Sequence, residues 1–166
     1  LQKYLPYGTE LDLFKGECIV SLVAFMFRDT KVMGIKFPFH SNFEEVNLRF
    51  YVKRQDGTEV KRGVVFIREI VPKRLISFIA NLFYQENYRT YSMAHRWDIG
   101  KEKREVEYAW RSRTSGSNSF IVNAGVNAEQ IIEESSEEFI LEHYWGYAQA
   151  GISKSVEYEV RHPKWK

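Results

Sequence analysis

The chain has 166 residues, 44% of them apolar, which is enough for one domain with a core of its own. Lys and Arg total 24 against 22 for Asp and Glu, and a net charge of +2 carries no electrostatic footprint for nucleic acid. The longest apolar runs, "CIVSLVAFMF" and "LISFIANLF", fall short of the about 20 residues needed to span a bilayer, and no secretory signal pattern is present. The single Cys18 cannot form an internal disulfide. Within its apolar run it is expected as a buried thiol in a reducing compartment, so the expected location is cytoplasmic. The first residue is Leu rather than Met, and a missing N-terminal segment is expected.

In chain order, "TELDLFKGECIVSLVAFMF" leads from turns into a strand near residues 17–27, apolar on both faces apart from Ser21. Such a strand is expected to be covered on both sides. "GIKFPFHSN" reads as a loop, broken at Pro38 and Asn42. From Phe43, strand alternation puts Val46, Leu48, Phe50 and Val52 on one face and Glu45, Asn47, Arg49 and Tyr51 on the other. The first face is core. The second is either a solvated outer surface or the wall of a polar cavity.

Asp56-Gly57 supplies a strong hairpin signal. A two-residue turn there sets Tyr51 opposite Arg62, Arg49 opposite Val64, Asn47 opposite Phe66 and Glu45 opposite Arg68. The last pair has the right sign for a cross-strand contact worth about 0.2–1 kcal/mol. Pro72 is expected at the first position of a helix whose Leu75, Ile76, Ile79, Leu82 and Phe83 share a core-facing side.

"YRTYSMAHRWD" and "REVEYAWRSR" read as strands around the "IGKEK" turn, and "TSGSNS" as a flexible loop before the strand "FIVNAGV". Ser135 and Glu138 form a capping box that opens a short helix over "EEFILEH". Two closing strands near 144–149 and 154–162 flank the "AGIS" turn. The sum is about eight strands, mostly antiparallel, with two helices: an α+β, mainly β single domain over residues 1–166, with a barrel-like arrangement.

"LPYGTELDLFKGECIVSLVAF", "NFEEVNLRFYV", "YRTYSMA", "LEHYWGY" and "HPKW", in that order, carry a family resemblance over nearly the whole chain. The chain resembles the uncharacterised bacterial family typified by the YqjF protein, a family placed in the acetoacetate-decarboxylase-like superfamily. That family's E-x-N-x-R pattern falls on Glu45, Asn47 and Arg49. The resemblance implies an antiparallel, cone-like β-barrel of the acetoacetate-decarboxylase type with a small-molecule pocket inside. Two departures stand out: Asn87 precedes Tyr88 where the family tends to have proline, and Cys18-Ile19 replaces a tryptophan of the first strand.

The decarboxylase works through a lysine of depressed pKa in a Pro-Lys-Lys motif, able as a free amine to form a Schiff base. Here "REIVPKRLI" offers Pro72, Lys73 and Arg74. Pro72 is explained by the helix start, and Lys73 then lies in a solvated first turn. In the order of elements the motif corresponds better to "ENYRTYS", which contains no lysine. A Schiff-base decarboxylase is therefore not the expected activity.

The four histidines, His40, His95, His143 and His162, lack the spacings of a zinc site, so neither metal nor cofactor is expected. His143 and His162 face each other only if the last hairpin turns symmetrically about residues 152 and 153; otherwise they are partly exposed strand-end residues. Glu45 and His162 make an acid–base pair only if both enter one cavity. Among the aromatics, Tyr51, Tyr88, Tyr91, Tyr144 and Trp145 are candidates to wall a pocket.

The expected function is binding of a small molecule, a carboxylate or other small anion, in a polar pocket within the barrel. Arg49 and Arg68 would receive the anion, Glu45 and Asn47 would hold the guanidinium, and Tyr51, Tyr88 and His162 complete the expected contacts. Two alternatives stand beside it. One is an enzyme acting on a keto acid or related metabolite by acid–base chemistry through Glu45. The other is a structural or interaction protein without a ligand. Association into a homo-oligomer is left open, and nucleic acid and membrane are not expected partners.

Overall fold

The computed structural model describes residues 1–30 and 42–160. After a 3-10 turn at Gln2–Tyr4 the elements run β1 (Glu10–Leu11), β2 (Val20–Phe27), β3 (Phe43–Asp56), β4 (Glu59–Val71) and α1 (Arg74–Tyr84). They continue with β5 (Tyr88–Thr90), β6 (Ser92–Ile99), β7 (Lys103–Ser112), β8 (Gly116–Gly125), α2 (Ser136–Leu141), β9 (Trp145–Gly151) and β10 (Lys154–Glu159). The class is mainly β and α+β, as the alternation patterns predict. Strand pairing among the described residues gives two sheets, one of seven strands and one of three (β6-β7-β8), without a closed barrel.

The long β3–β4 hairpin is the spine of the larger sheet. β1 and β2 pair in series along the free edge of β3, both antiparallel. β9 and β5 pair in series along the far edge of β4, both parallel to it, and β10 pairs with β9. The hairpin forms, but not in the expected register. Asp56 pairs with Glu59, so the two-residue turn is Gly57-Thr58, with Gly57 at φ 60°. Glycine tolerates that left-handed conformation at the first turn position, which moves the turn one residue on from Asp56-Gly57.

Tyr51 then faces Val64 and Arg49 faces Phe66, a shift of two from the expected pairs that leaves the faces unchanged. Between Leu48 and Arg49 the ladder shifts again: Leu48 pairs with Arg68, and Ile67 is left without an opposite residue. A bulge of this kind reverses which side chains of β4 share a face with β3.

β3 is buried on both sides. Phe50, Val52, Val65 and Tyr147 form one cluster with Leu11 and Trp145, while Val46, Ile70 and Tyr108 form a second against Met93 and Trp110 of the smaller sheet. On the opposite face Tyr51 and Val64 pack on Phe139 of α2. Ser135 caps α2 as expected, accepting a hydrogen bond from the Glu138 amide at 3.1 Å. The Glu138 carboxylate accepts from the amide of Glu134, the residue before the N-cap, at 2.8 Å, while the Ser135 amide donates to the Ile132 carbonyl at 3.2 Å.

Several expectations for β2 and α1 are corrected. β2 pairs only with β3 among the described residues, and Val20 and Leu22 are exposed, so the strand is not covered on both sides. Cys18 is exposed rather than buried, because it precedes the strand. Pro72 does not open the helix: Lys73 is the N-cap residue and Arg74 the first helical one. The stripe assigned to the core is largely outside, with Leu82 54% and Phe83 57% exposed. α1 instead buries Ser77, whose hydroxyl lies 2.8 Å from the Thr90 hydroxyl. Its small side chain lets the helix lie close to β5. The strand read over "YRTYSMAHRWD" is two strands in different sheets, β5 beside β4 and β6 beside β7.

Candidate functional site

The bulge at Ile67 determines the site. Past it, Asn47 lies opposite Glu69, and Glu69 in turn lies beside Tyr88 of the parallel strand β5. Directly opposed residues project to the same face. Asn47, Glu69 and Tyr88 therefore stand side by side across three strands, and Glu45, two residues before Asn47, joins them. Glu45, Asn47 and Glu69 are each 2% exposed. The Asn47 amide donates to Glu45 Oε1 at 3.2 Å, and the Tyr88 hydroxyl donates to Glu45 Oε2 at 3.1 Å. Glu86, on the same side two residues before Tyr88, accepts a 2.7 Å bond from the Tyr158 hydroxyl of β10.

None of these three carboxyls is in an ion pair with a lysine, arginine or histidine among the described residues. Burial therefore dominates their protonation. It pushes Glu45 up to about 7, against the hydrogen bonds from Asn47 and Tyr88. Burial, reinforced by the charges of Glu86 and Glu45, drives Glu69 up to about 10. Burial likewise raises Glu86 to about 7, against the hydrogen bonds from Tyr158 and from a protonated Glu69. Burial and the neighbouring carboxylates also raise the Tyr88 and Tyr158 hydroxyls, which stay protonated donors.

The cluster opens on a cleft of about 390 Å³ bounded by Glu69, Glu86, Tyr84, Tyr88, Tyr158 and Ala80. The Tyr84 and Tyr158 rings meet edge to face with centroids 5.5 Å apart. Among the described residues no hydrogen-bond partner reaches Glu69 Oε2. Tyr158 is seated by Gly146, its partner across β9 and β10: a Cβ at Gly146 would overlap the Tyr158 ring. Gly146→Ala should thus displace the ring, release the Glu86 bond and destabilise the protein by about 1–3 kcal/mol in urea unfolding. A change below about 0.5 kcal/mol would show that the ring is not held there.

The expected site is gathered only in part. Glu45, Asn47 and Tyr88 are brought together, and the polar face is buried rather than solvated. Arg49 does not join them: it donates to the Ile140 carbonyl at 3.4 Å, with its guanidinium 5.7 Å from the centre of the Tyr51 ring. The expected set of Glu45, Asn47 and Arg49 is thus two residues and not three. Arg68 is opposite Leu48, on the other face, and donates to Asn87 Oδ1 at 3.1 Å, so the Glu45–Arg68 pair does not form. Tyr51 is a core residue whose hydroxyl lies 2.7 Å from Ser21 Oγ. His162, like His40, lies outside the described residues.

Lys73 holds the N-cap position of α1 and does not line the cleft. Tyr144 and Trp145 lie away from the cleft too, the first bonded to Glu142 and the second packed on the Phe50 cluster. Tyr91 packs on the Val46 cluster. The sequence reading missed Glu69, Glu86, Tyr84 and Tyr158. Among these, Glu86 alone carried a usable signal, its spacing of two from Tyr88.

A second buried polar group lies at the other end of β3. Asp12 Oδ2 accepts from Arg62 Nε at 2.7 Å and sits 3.1 Å from His143 Nε2. His143 is 5% exposed, not a strand-end surface residue, because the chain turns inward after α2. Its ring packs on Tyr51 and Phe139 at 4.7 and 4.9 Å. Burial would raise the Asp12 pKa, but the hydrogen bonds from His143 and Arg62 outweigh it and hold the carboxylate below its usual range. Burial holds His143 below its usual value, against the Asp12 hydrogen bond.

Fold and site together define a mainly β, α+β domain that buries three carboxyls and two phenolic hydroxyls beside one cleft. The chain belongs to the family DUF2071, described as an uncharacterized conserved protein (COG2071), whose model matches residues 1–166. No curated protein and no solved structure matches the chain. No helix among the described residues is long and apolar enough to cross a membrane.

Proposed function

We propose that this domain binds a small molecule in the cleft between α1, β4, β5 and β10. The observation that carries the reading is the convergence of Glu69 of β4, Glu86 of the α1–β5 connection and Tyr158 of β10 on one concave space with Tyr84 and Tyr88 as walls. Buried carboxyls without a compensating cation cost stability and persist where a ligand or a reaction uses them. The kinship with the acetoacetate-decarboxylase-like superfamily belongs to this proposal: its support is the order of shared motifs, and an interior pocket is what it would share. The Schiff-base chemistry has no support here, since no lysine among the described residues lines the cleft. Arg49 and Arg68 do not line this cleft, so they lend the anion reading no support at it.

A second reading, acid–base catalysis on a small metabolite, draws on the value of about 7 at Glu86. A carboxyl that titrates near neutrality can take and return a proton under working conditions. Glu86, which lines the cleft, is a better candidate than Glu45, whose oxygens are occupied by Asn47 and Tyr88.

The binding reading is tested by incubating the protein with a metabolite extract, desalting it and identifying retained small molecules by mass spectrometry. Ala80→Trp, which fills the cleft from the helix side, is the control. A molecule held by the wild type and lost from a folded Ala80→Trp variant supports the proposal. Retention of nothing, or equal retention by both proteins, overturns it.

A further inference from the structure

We infer that the ligand of this cleft is an organic cation, a primary or substituted ammonium seated against the Tyr84 and Tyr158 rings with its charge directed at Glu69 and Glu86. The inference rests on the binding reading above and adds the chemical class of the ligand. Its first support is the sign of the site: among the described residues, every ionisable side chain bordering the space is a carboxyl or a phenol, namely Glu69, Glu86 and Glu159 with Tyr84, Tyr88 and Tyr158. Glu45 stands behind Tyr88 and adds to the same sign. A carboxylate ligand would be repelled by whichever of these carboxyls is ionised and would meet no cationic side chain among the described residues that border the cleft.

The second support is independent of the charge. Glu69 is 2% exposed, borders the cleft, and has an oxygen, Oε2, that no donor among the described residues reaches. Buried side-chain oxygens are normally satisfied, so this one lacks a donor that a ligand would supply. The third support is the aromatic wall. Edge-to-face rings of Tyr84 and Tyr158 present π surface next to the carboxyls, and a cation gains from both at once. A metal ion is a poorer fit, because no group of three or more His, Cys, Asp or Glu side chains among the described residues is arranged to hold one.

Binding of an ammonium must displace protons. In the free protein Glu69 is protonated at neutral pH, and Glu45 and Glu86 are partly so. A cation beside them favours the ionised forms, so loading releases protons and affinity rises with pH as long as the ligand keeps its charge.

Three probes of one shape separate the possibilities: benzylammonium, benzyl alcohol and benzoate, titrated calorimetrically into the wild type at pH 6 and pH 8 in buffers of different ionisation enthalpy. Benzylammonium is expected to bind about tenfold or more tighter than either other probe, to gain about threefold or more in affinity from pH 6 to 8, and to release protons. Glu86→Gln should weaken benzylammonium at least about fivefold without changing the melting temperature enough to signal unfolding. Tighter or equal binding of benzoate or benzyl alcohol overturns the cation assignment, as does benzylammonium binding without proton release. Should none of the probes bind while a retained metabolite is still lost on Ala80→Trp, the cation assignment fails and the cleft stands. Equal retention by Ala80→Trp removes the binding reading itself.

Discussion

Glu69→Gln is expected to be more stable than the wild type at pH 8 and to lose less stability between pH 5 and pH 8. The sign follows from the raised pKa values. A carboxyl whose folded value lies above its unfolded value, 4.5, keeps a proton that the unfolded chain surrenders. Its contribution is complete below about pH 4.5 and declines as pH rises, until about 7 for Glu45 and Glu86 and about 10 for Glu69. Each tenfold change in proton affinity between the folded and unfolded chain corresponds to about 1.4 kcal/mol, so Glu69 alone accounts for a decline of several kcal/mol by pH 8.

Gln has the shape of the protonated acid and no proton to lose. The gap between variant and wild type should therefore widen by roughly 2–4 kcal/mol from pH 5 to pH 8 in favour of the variant. His143 and Asp12 also titrate with folding, His143 in the opposite sense, since a depressed imidazole gains stability as pH rises toward 6.5. Both are present in the two proteins and cancel in the difference. Urea unfolding at a series of pH values reads the gap directly. Parallel curves for the two proteins would mean that Glu69 is ionised and solvated, and the account of the cluster would fail with it.

The physics of the strands explains which parts of this site are legible in the sequence. Glu45 and Asn47 stand out because they interrupt an apolar strand at alternate positions, and the structure buries both. β4 offers no such pattern. Val64, Val65, Phe66 and Ile67 are consecutive apolar residues in a strand packed on both faces, so a slip of one residue leaves no trace in the alternation. The bulge at Ile67 is therefore silent, and it exchanges Arg68 for Glu69 on the polar face. That exchange sets a carboxyl beside Asn47 where the alternation expects a guanidinium near Glu45.

Pairings distant in sequence were silent too. Tyr158 reads as one more apolar position in an alternating strand, and its approach to Glu86 depends on Gly146 leaving room on β9. The helix misled for another reason. Its apolar stripe is real, but the sheet receives the opposite side through Ser77, so periodicity gave the face without saying which way it turned.

Asp12→Ala should cost about 2–3 kcal/mol at pH 7, although Asp12 is nowhere near the cleft. Its side chain is 10% exposed and its carboxylate serves two donors, Arg62 Nε and His143 Nε2. The two respond differently to its loss. The Arg62 side chain is 38% exposed and can turn its guanidinium to water, so little is lost there. The His143 side chain is 1% exposed, wedged between Tyr51 and Phe139, and its ring nitrogen would be left buried without an acceptor. Most of the cost therefore resides in the stranded imidazole, and removing it should restore stability. Asp12→Ala combined with His143→Phe is expected to recover about 1 kcal/mol or more relative to the sum of the single variants. The acid limb of the stability curve provides a second readout. A carboxylate held below 3.8 contributes stability above that value and loses it as pH falls through the folded value, so Asp12→Ala should be closest to the wild type in the most acidic buffers. Urea unfolding of the two single variants and the double variant at pH 7 and pH 3 measures all of these effects. Additive single-site effects, or an unchanged gap at low pH, would show that the Asp12 carboxylate is not coupled to the His143 ring.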